Sequence, residues 1–95
     1  MASMISKKVR EKLAGKKPPV TQDEIEQCFT NRTGQFLRDT REKHDSDPPT
    51  RWFISETDFG RKLKIAFIAT EGNIVIRTAY DPNHEEIRIY KKYGN

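Results

Sequence analysis

The chain has 95 residues, 34% hydrophobic and 34% charged, with 18 Lys and Arg against 14 Asp and Glu. That length allows one domain with one modest core, and excludes large cofactor-binding folds and deep interdomain clefts. No stretch approaches the roughly 20 apolar residues of a membrane span, and Met1 to Arg10 lacks the apolar segment of a secretory signal, so a cytoplasmic protein is expected. The lone Cys28 offers neither an internal disulfide nor a thiolate zinc site.

Positive charge is concentrated. Residues 1–20 carry Lys7, Lys8, Arg10, Lys12, Lys16 and Lys17 against Glu11 alone, a local balance of +5 in a chain whose net charge is +4. Residues 51–80 hold Arg51, Arg61, Lys62, Lys64 and Arg77 against Glu56, Asp58 and Glu71. Such a distribution suits a phosphate-bearing or acidic partner.

Residues 1–4 are expected to be disordered. Ile5, Val9 and Leu13 then recur every four residues and precede Gly15, which predicts a short amphipathic helix closed by glycine, its outer face nearly all basic. Thr21 and Glu24 form a capping-box pattern flanked by Val20 and Ile25, opening a second helix from about Gln22 to Thr30. Its apolar stripe of Ile25, Cys28 and Phe29 assigns Cys28 to packing. Residues 31–50 contain Gly34, Pro48-Pro49 and many charges, so a long charged loop is expected, with a short edge strand over 36–38.

Strand patterns follow at Arg51 to Thr57, Arg61 to Thr70 and Asn73 to Tyr80, separated by Asp58-Phe59-Gly60 and Glu71-Gly72. They predict an antiparallel meander of three to four strands. A two-residue turn at Glu71-Gly72 sets Thr70 opposite Asn73, Phe67 opposite Ile76, Ile65 opposite Thr78 and Leu63 opposite Tyr80. Ala66 then faces Arg77 and Lys64 faces Ala79, and in a regular strand Arg77 points away from Tyr80. Asn83 and Glu86 repeat the capping pattern and open a last helix carrying Ile87, Tyr90 and Tyr93. The fold class is α+β, a single domain over 1–95: two N-terminal helices, an antiparallel sheet and a C-terminal helix.

Most catalytic signatures are absent: there is no phosphate-binding glycine loop, no nucleophile elbow, and His44 and His84 lie far apart. Asp39, Glu42, Asp45 and Asp47 lack the spacing of a calcium loop and alternate with Arg38, Arg41 and Lys43, so no metal or other cofactor is expected. What remains is a group of acid, base and cationic types around the sheet: Arg51, Arg61, Lys62, Lys64, Arg77, Tyr80, His84, Glu86 and Tyr90. Metal-free RNA cleavage needs a base for the 2′-hydroxyl proton, cations for the developing phosphorane charge and an acid for the leaving oxygen, and this group holds each type.

The segments Arg51-Trp52-Phe53-Ile54, Gly60-Arg61-Lys62-Leu63-Lys64-Ile65-Ala66-Phe67, Ile76-Arg77-Thr78-Ala79 and Glu86-Ile87-Arg88-Ile89-Tyr90 resemble the BrnT-type toxins of bacterial type II toxin–antitoxin systems. With the two-helix opening, the resemblance covers about two thirds of the chain. It implies a RelE-like ribonuclease fold, translation inhibited by RNA cleavage without a metal, and a hetero-oligomer with a small antitoxin that binds DNA. It places Arg61, the Thr78-Ala79 strand end, Glu86 and Tyr90 around the active face. Where the family follows its Ser-Ala pair with arginine, this chain has Tyr80, and its strand arginine, Arg77, precedes the pair. The expected roles are proton transfer for Tyr80, His84 and Glu86, phosphate or RNA contact for Arg51, Arg61, Lys64 and Arg77, and a closing helix bearing Arg88 and Tyr90. The alternative is a non-catalytic module that binds nucleic acid or an acidic protein.

Overall fold

A computed structural model describes residues 3–39 and 48–94. The order is β1 (Ser3–Met4), α1 (Lys7–Ala14), α2 (Gln22–Asn31), β2 (Leu37–Arg38), β3 (Thr50–Glu56), β4 (Lys62–Thr70), β5 (Asn73–Tyr80) and α3 (His84–Tyr93). The five strands form one sheet in the order β1-β5-β4-β3-β2, antiparallel from β2 to β5, with β1 parallel to β5. The α+β class and the three helices are as the sequence predicts. Within the stretch 1–4, where disorder is expected, Ser3 and Met4 pair with Ile74 and Val75.

Local chemistry sets the helix ends. Ser6 accepts from the Val9 amide to open α1, and Gly15 caps its end. Both capping boxes form: Thr21 with Glu24 on α2, and Asn83 with Glu86 on α3. Each box satisfies two backbone amides that would otherwise lack partners. Gly72, at φ +70°, makes the turn that places Thr70 opposite Asn73.

The sheet has helices on both faces. On one, Phe29 of α2 packs against Phe53 and Phe67 with ring centroids 4.8 and 5.5 Å apart, and Phe36 joins them. Leu13, Val20, Ile25, Cys28, Leu63, Ile65 and Ile76 complete this buried core. Burial pushes the Cys28 thiol up to about 12, so it packs as a small hydrophobe and is not a nucleophile. On the other face, Tyr90 of α3 packs on Trp52 at 5.7 Å and its hydroxyl donates to the Gln35 carbonyl at 2.8 Å.

Gly34 lies under that contact. A Cβ at residue 34 would stand 2.5 Å from the Tyr90 hydroxyl and 2.6 Å from the Gly94 carbonyl oxygen. Gly94 also accepts from the Gln35 amide, so neither neighbour is free to retreat. Gly34→Ala is expected to lower stability by about 1–3 kcal/mol, the range for overpacking, as read by denaturant unfolding.

One register differs from expectation and changes the site. Thr70 to Phe67 pair with Asn73 to Ile76 as predicted, but Ala66 then faces Thr78, Ile65 faces Ala79 and Lys64 faces Tyr80. Arg77 is the additional residue of a β-bulge. The bulge keeps apolar residues inward in a strand whose sequence breaks alternation, since Ile74, Ile76 and Ala79 are all buried. The predicted pairs Ile65 with Thr78, Leu63 with Tyr80, Ala66 with Arg77 and Lys64 with Ala79 are corrected accordingly.

Candidate functional site

The bulge determines which side chains meet. Beyond it, Tyr80 stands on the same face as Lys64, Ala66 and Trp52, the face that carries α3. Arg77 and Thr78 are together opposite Ala66, and both line a recess of about 250 Å³ with Lys12, Asp39, Thr50, Lys64 and Tyr80. The expectation that Arg77 points away from Tyr80 is thus reversed, because one extra residue shifts the alternation. Arg77 is exposed and, among the described residues, has no carboxylate partner.

Behind the recess lies a buried polar network. The Lys64 ammonium, with its residue 3% exposed, donates to Glu86 Oε2 at 2.8 Å and sits 4.5 Å from the centre of the Trp52 ring. The Tyr80 hydroxyl donates to the same carboxylate oxygen. Glu86 Oε1 accepts from the Asn83 amide at 3.0 Å, so the helix cap and the site share one side chain. Burial pushes the Glu86 carboxyl up, but the bonds from Lys64, Tyr80 and the Asn83 backbone outweigh it and hold it at about 2. At neutral pH Glu86 is a fixed anion with no proton to give. Lys64 also lines a neighbouring cavity of about 470 Å³ walled by Leu37, Trp52, Ile89 and Tyr93, so the ion pair divides two hollows.

The remaining expected residues lie elsewhere. Arg61 spends its guanidinium on structure: it bonds Asp81 and Glu24, and the carbonyls of Pro18 and Pro19. These bonds tie the segment before α2 to the turn before α3. Arg51 is exposed on the opposite face, next to Phe53 in the strand alternation and across from Arg38. Lys62 is exposed at the start of β4, and His84 is exposed at the first position of α3. Arg88 pairs with Glu85 on the outer surface of α3, and Tyr90 is a buried packing residue. Lys64 itself is too buried and too fully engaged to reach a ligand phosphate. The group therefore divides: Lys64, Arg77, Tyr80 and Glu86 come together, whereas Arg51, Arg61, Arg88 and Tyr90 do not join them.

Two cations outside the expected set enter the site. Lys12 lines the recess, and the Lys16 ammonium stands 5.7 Å from the centre of the Tyr80 ring. Their charge is plain in the sequence, but their meeting with β5 depends on α1 packing against that strand. The site thus presents two exposed cations, Lys12 and Arg77, beside the hydroxyls of Thr50, Thr78 and Tyr80, against the single Asp39 carboxylate in its lining and with Glu86 shut behind them. With two exposed cations against one lining carboxylate, the recess keeps a positive balance that suits an oxyanion.

No family model, curated protein or solved structure matches the chain. Among the described residues, no group of three His, Cys, Asp or Glu side chains is placed to hold a metal ion. No helix among them is long and apolar enough to cross a membrane. His44, Glu42, Asp45 and Asp47 lie outside the described residues.

Proposed function

We propose that this chain is a toxin-like domain of the BrnT and RelE type that cleaves RNA without a metal, using the recess at the β5 bulge. The observation that supports the reading is the arrival of Arg77 on the face of Tyr80. The resemblance implies a cation after the Thr78-Ala79 pair, and Tyr80 stands there instead. The bulge offsets that exchange by bringing the preceding arginine to the same surface. In this reading Arg77 and Lys12 stabilise phosphorane charge and Tyr80 moves a proton. Glu86, kept ionised by Lys64, anchors the Tyr80 hydroxyl. A small DNA-binding antitoxin would cover the site in a hetero-oligomer, and the cytoplasm would be the site of action.

One observation favours the second reading, a non-catalytic RNA-binding module: the carboxylate nearest Tyr80 is fully engaged in an ion pair and two further hydrogen bonds. Purified protein incubated with RNA in excess chelator separates the two. Cleavage is expected, falling about 100-fold in Arg77→Ala, the scale of losing one charge-stabilising group. RNA that is bound but stays intact would move the conclusion to the binding module. RNA neither bound nor cut would overturn both.

A further inference from the structure

The six cations of residues 1–20 have a placement that fold stability does not explain. Helix α1 has Lys7 and Lys8 in its first turn and no acidic residue there. The positive end of a helix disfavours cations, so this arrangement costs stability. Lys8 and Lys12 are four apart and share a helix face. Both are exposed, and among the described residues neither has a carboxylate partner. Lys12 reaches the recess beside Arg77, and Lys16, just past the Gly15 cap, reaches the Tyr80 ring. Lys8 and Lys12 are about 6 Å apart along the helix axis, and the line continues past the cap through Lys16 to an arginine and a half-buried aromatic ring.

We propose that Lys8, Lys12 and Lys16 form a track for the phosphate backbone of single-stranded RNA that delivers a nucleotide to Arg77 and Tyr80. The proposal rests on the RNA reading above and adds the path of the strand. A basic line of this kind follows the phosphate backbone of unpaired nucleic acid, and the Tyr80 ring, which has the Lys16 and Lys64 ammonium groups over it, anchors the last cation of the line beside Arg77. A segment of +5 charge, with Glu11 as its one acid, also has the sign the ligand requires.

The test is fluorescence anisotropy with a labelled 2′-O-methyl RNA of about 12 nucleotides, which binds as a single strand and lacks the hydroxyl needed for cleavage. Native protein is compared, across a salt titration, with Arg77→Ala, with Lys8→Gln/Lys12→Gln/Lys16→Gln, and with the same three lysines changed to arginine. The glutamine variant is expected to bind about tenfold more weakly at low salt and to reduce the salt slope by about 2, near 0.7 for each lost phosphate contact. The arginine variant should retain both values. If Arg77→Ala weakens binding but the glutamine variant matches native protein in affinity and slope, the track is refuted and the RNA site stands. If native protein binds no probe at low salt, site and track both fall. Binding of a polyglutamate peptide in its place would assign the stripe to an acidic protein.

Discussion

Lys64→Met is expected to destabilise the fold by about 3–5 kcal/mol, because it leaves the Glu86 carboxylate buried without its cation. The pair is enclosed, with side-chain exposures of 3% and 11%, so solvent screens it little. Glu86→Leu alone should be comparably harmful, since it strands the ammonium against Trp52. The double variant Lys64→Met/Glu86→Leu should be less destabilised than the sum of the two single changes, as an apolar pair removes both charge-desolvation penalties, while the Tyr80 hydroxyl and the Asn83 amide still lose their acceptor. Chemical unfolding of the four proteins forms the cycle, and additive losses would mean that the two groups do not interact.

The same network sets an acid limit. The Glu86 carboxyl is depressed from 4.5 to about 2, so the stability it contributes is complete above pH 4.5. It is lost as the pH falls from 4.5 toward 2. At about 1.4 kcal/mol per pH unit, that window carries about 3 kcal/mol. Lys64→Met removes the principal cation holding the carboxyl down, so the variant should lose much of this acid dependence.

Arg61→Ala is the second large effect, a loss of about 2–3 kcal/mol. The guanidinium holds two carboxylates and two proline carbonyls, and the bond to Glu24 lies in a poorly exposed contact. Removing it leaves these acceptors without a shared donor and frees the segment before α2 from the turn before α3. Asp81 is 57% exposed and regains water, which keeps the loss below that of Lys64→Met. Arg77→Ala supplies the contrast. Its side chain is exposed and unpaired among the described residues, so stability should change by no more than about 0.5 kcal/mol. Thermal melting of both variants checks the difference: a fold that tolerates Arg61→Ala but not Arg77→Ala would reverse the assigned roles.

These two arginines mark how far the sequence could be read. Helices and strands were legible because their signals are local: the two capping boxes, Gly15 after Leu13, and the Glu71-Gly72 turn. The edge strand beside Phe36 was also visible, although it covers only Leu37–Arg38. The partners of Arg61 were not, because Pro18, Glu24 and Asp81 lie 20 to 43 residues away. Nor was the bulge, since a regular strand through Ile76-Arg77-Thr78-Ala79 sets Thr78 inward unless one asks which of the two small residues must face the core. Ala79 was the available clue: it is fully buried, whereas a regular strand would have turned Thr78 inward. Lys64 misled for a related reason. A lysine in a strand reads as a surface cation, and only the approach of α3 reveals its partner Glu86.

The proposed cleavage depends on Arg77 and the face it shares with Tyr80. Induced expression in bacterial cells, native chain against Arg77→Ala at matched protein level, tests it most directly. Growth arrest with cut cellular RNA in the native case, and continued growth with intact RNA in the variant, is the expected result. Native expression that leaves growth and RNA untouched would contradict the account, as would arrest that persists unchanged in Arg77→Ala.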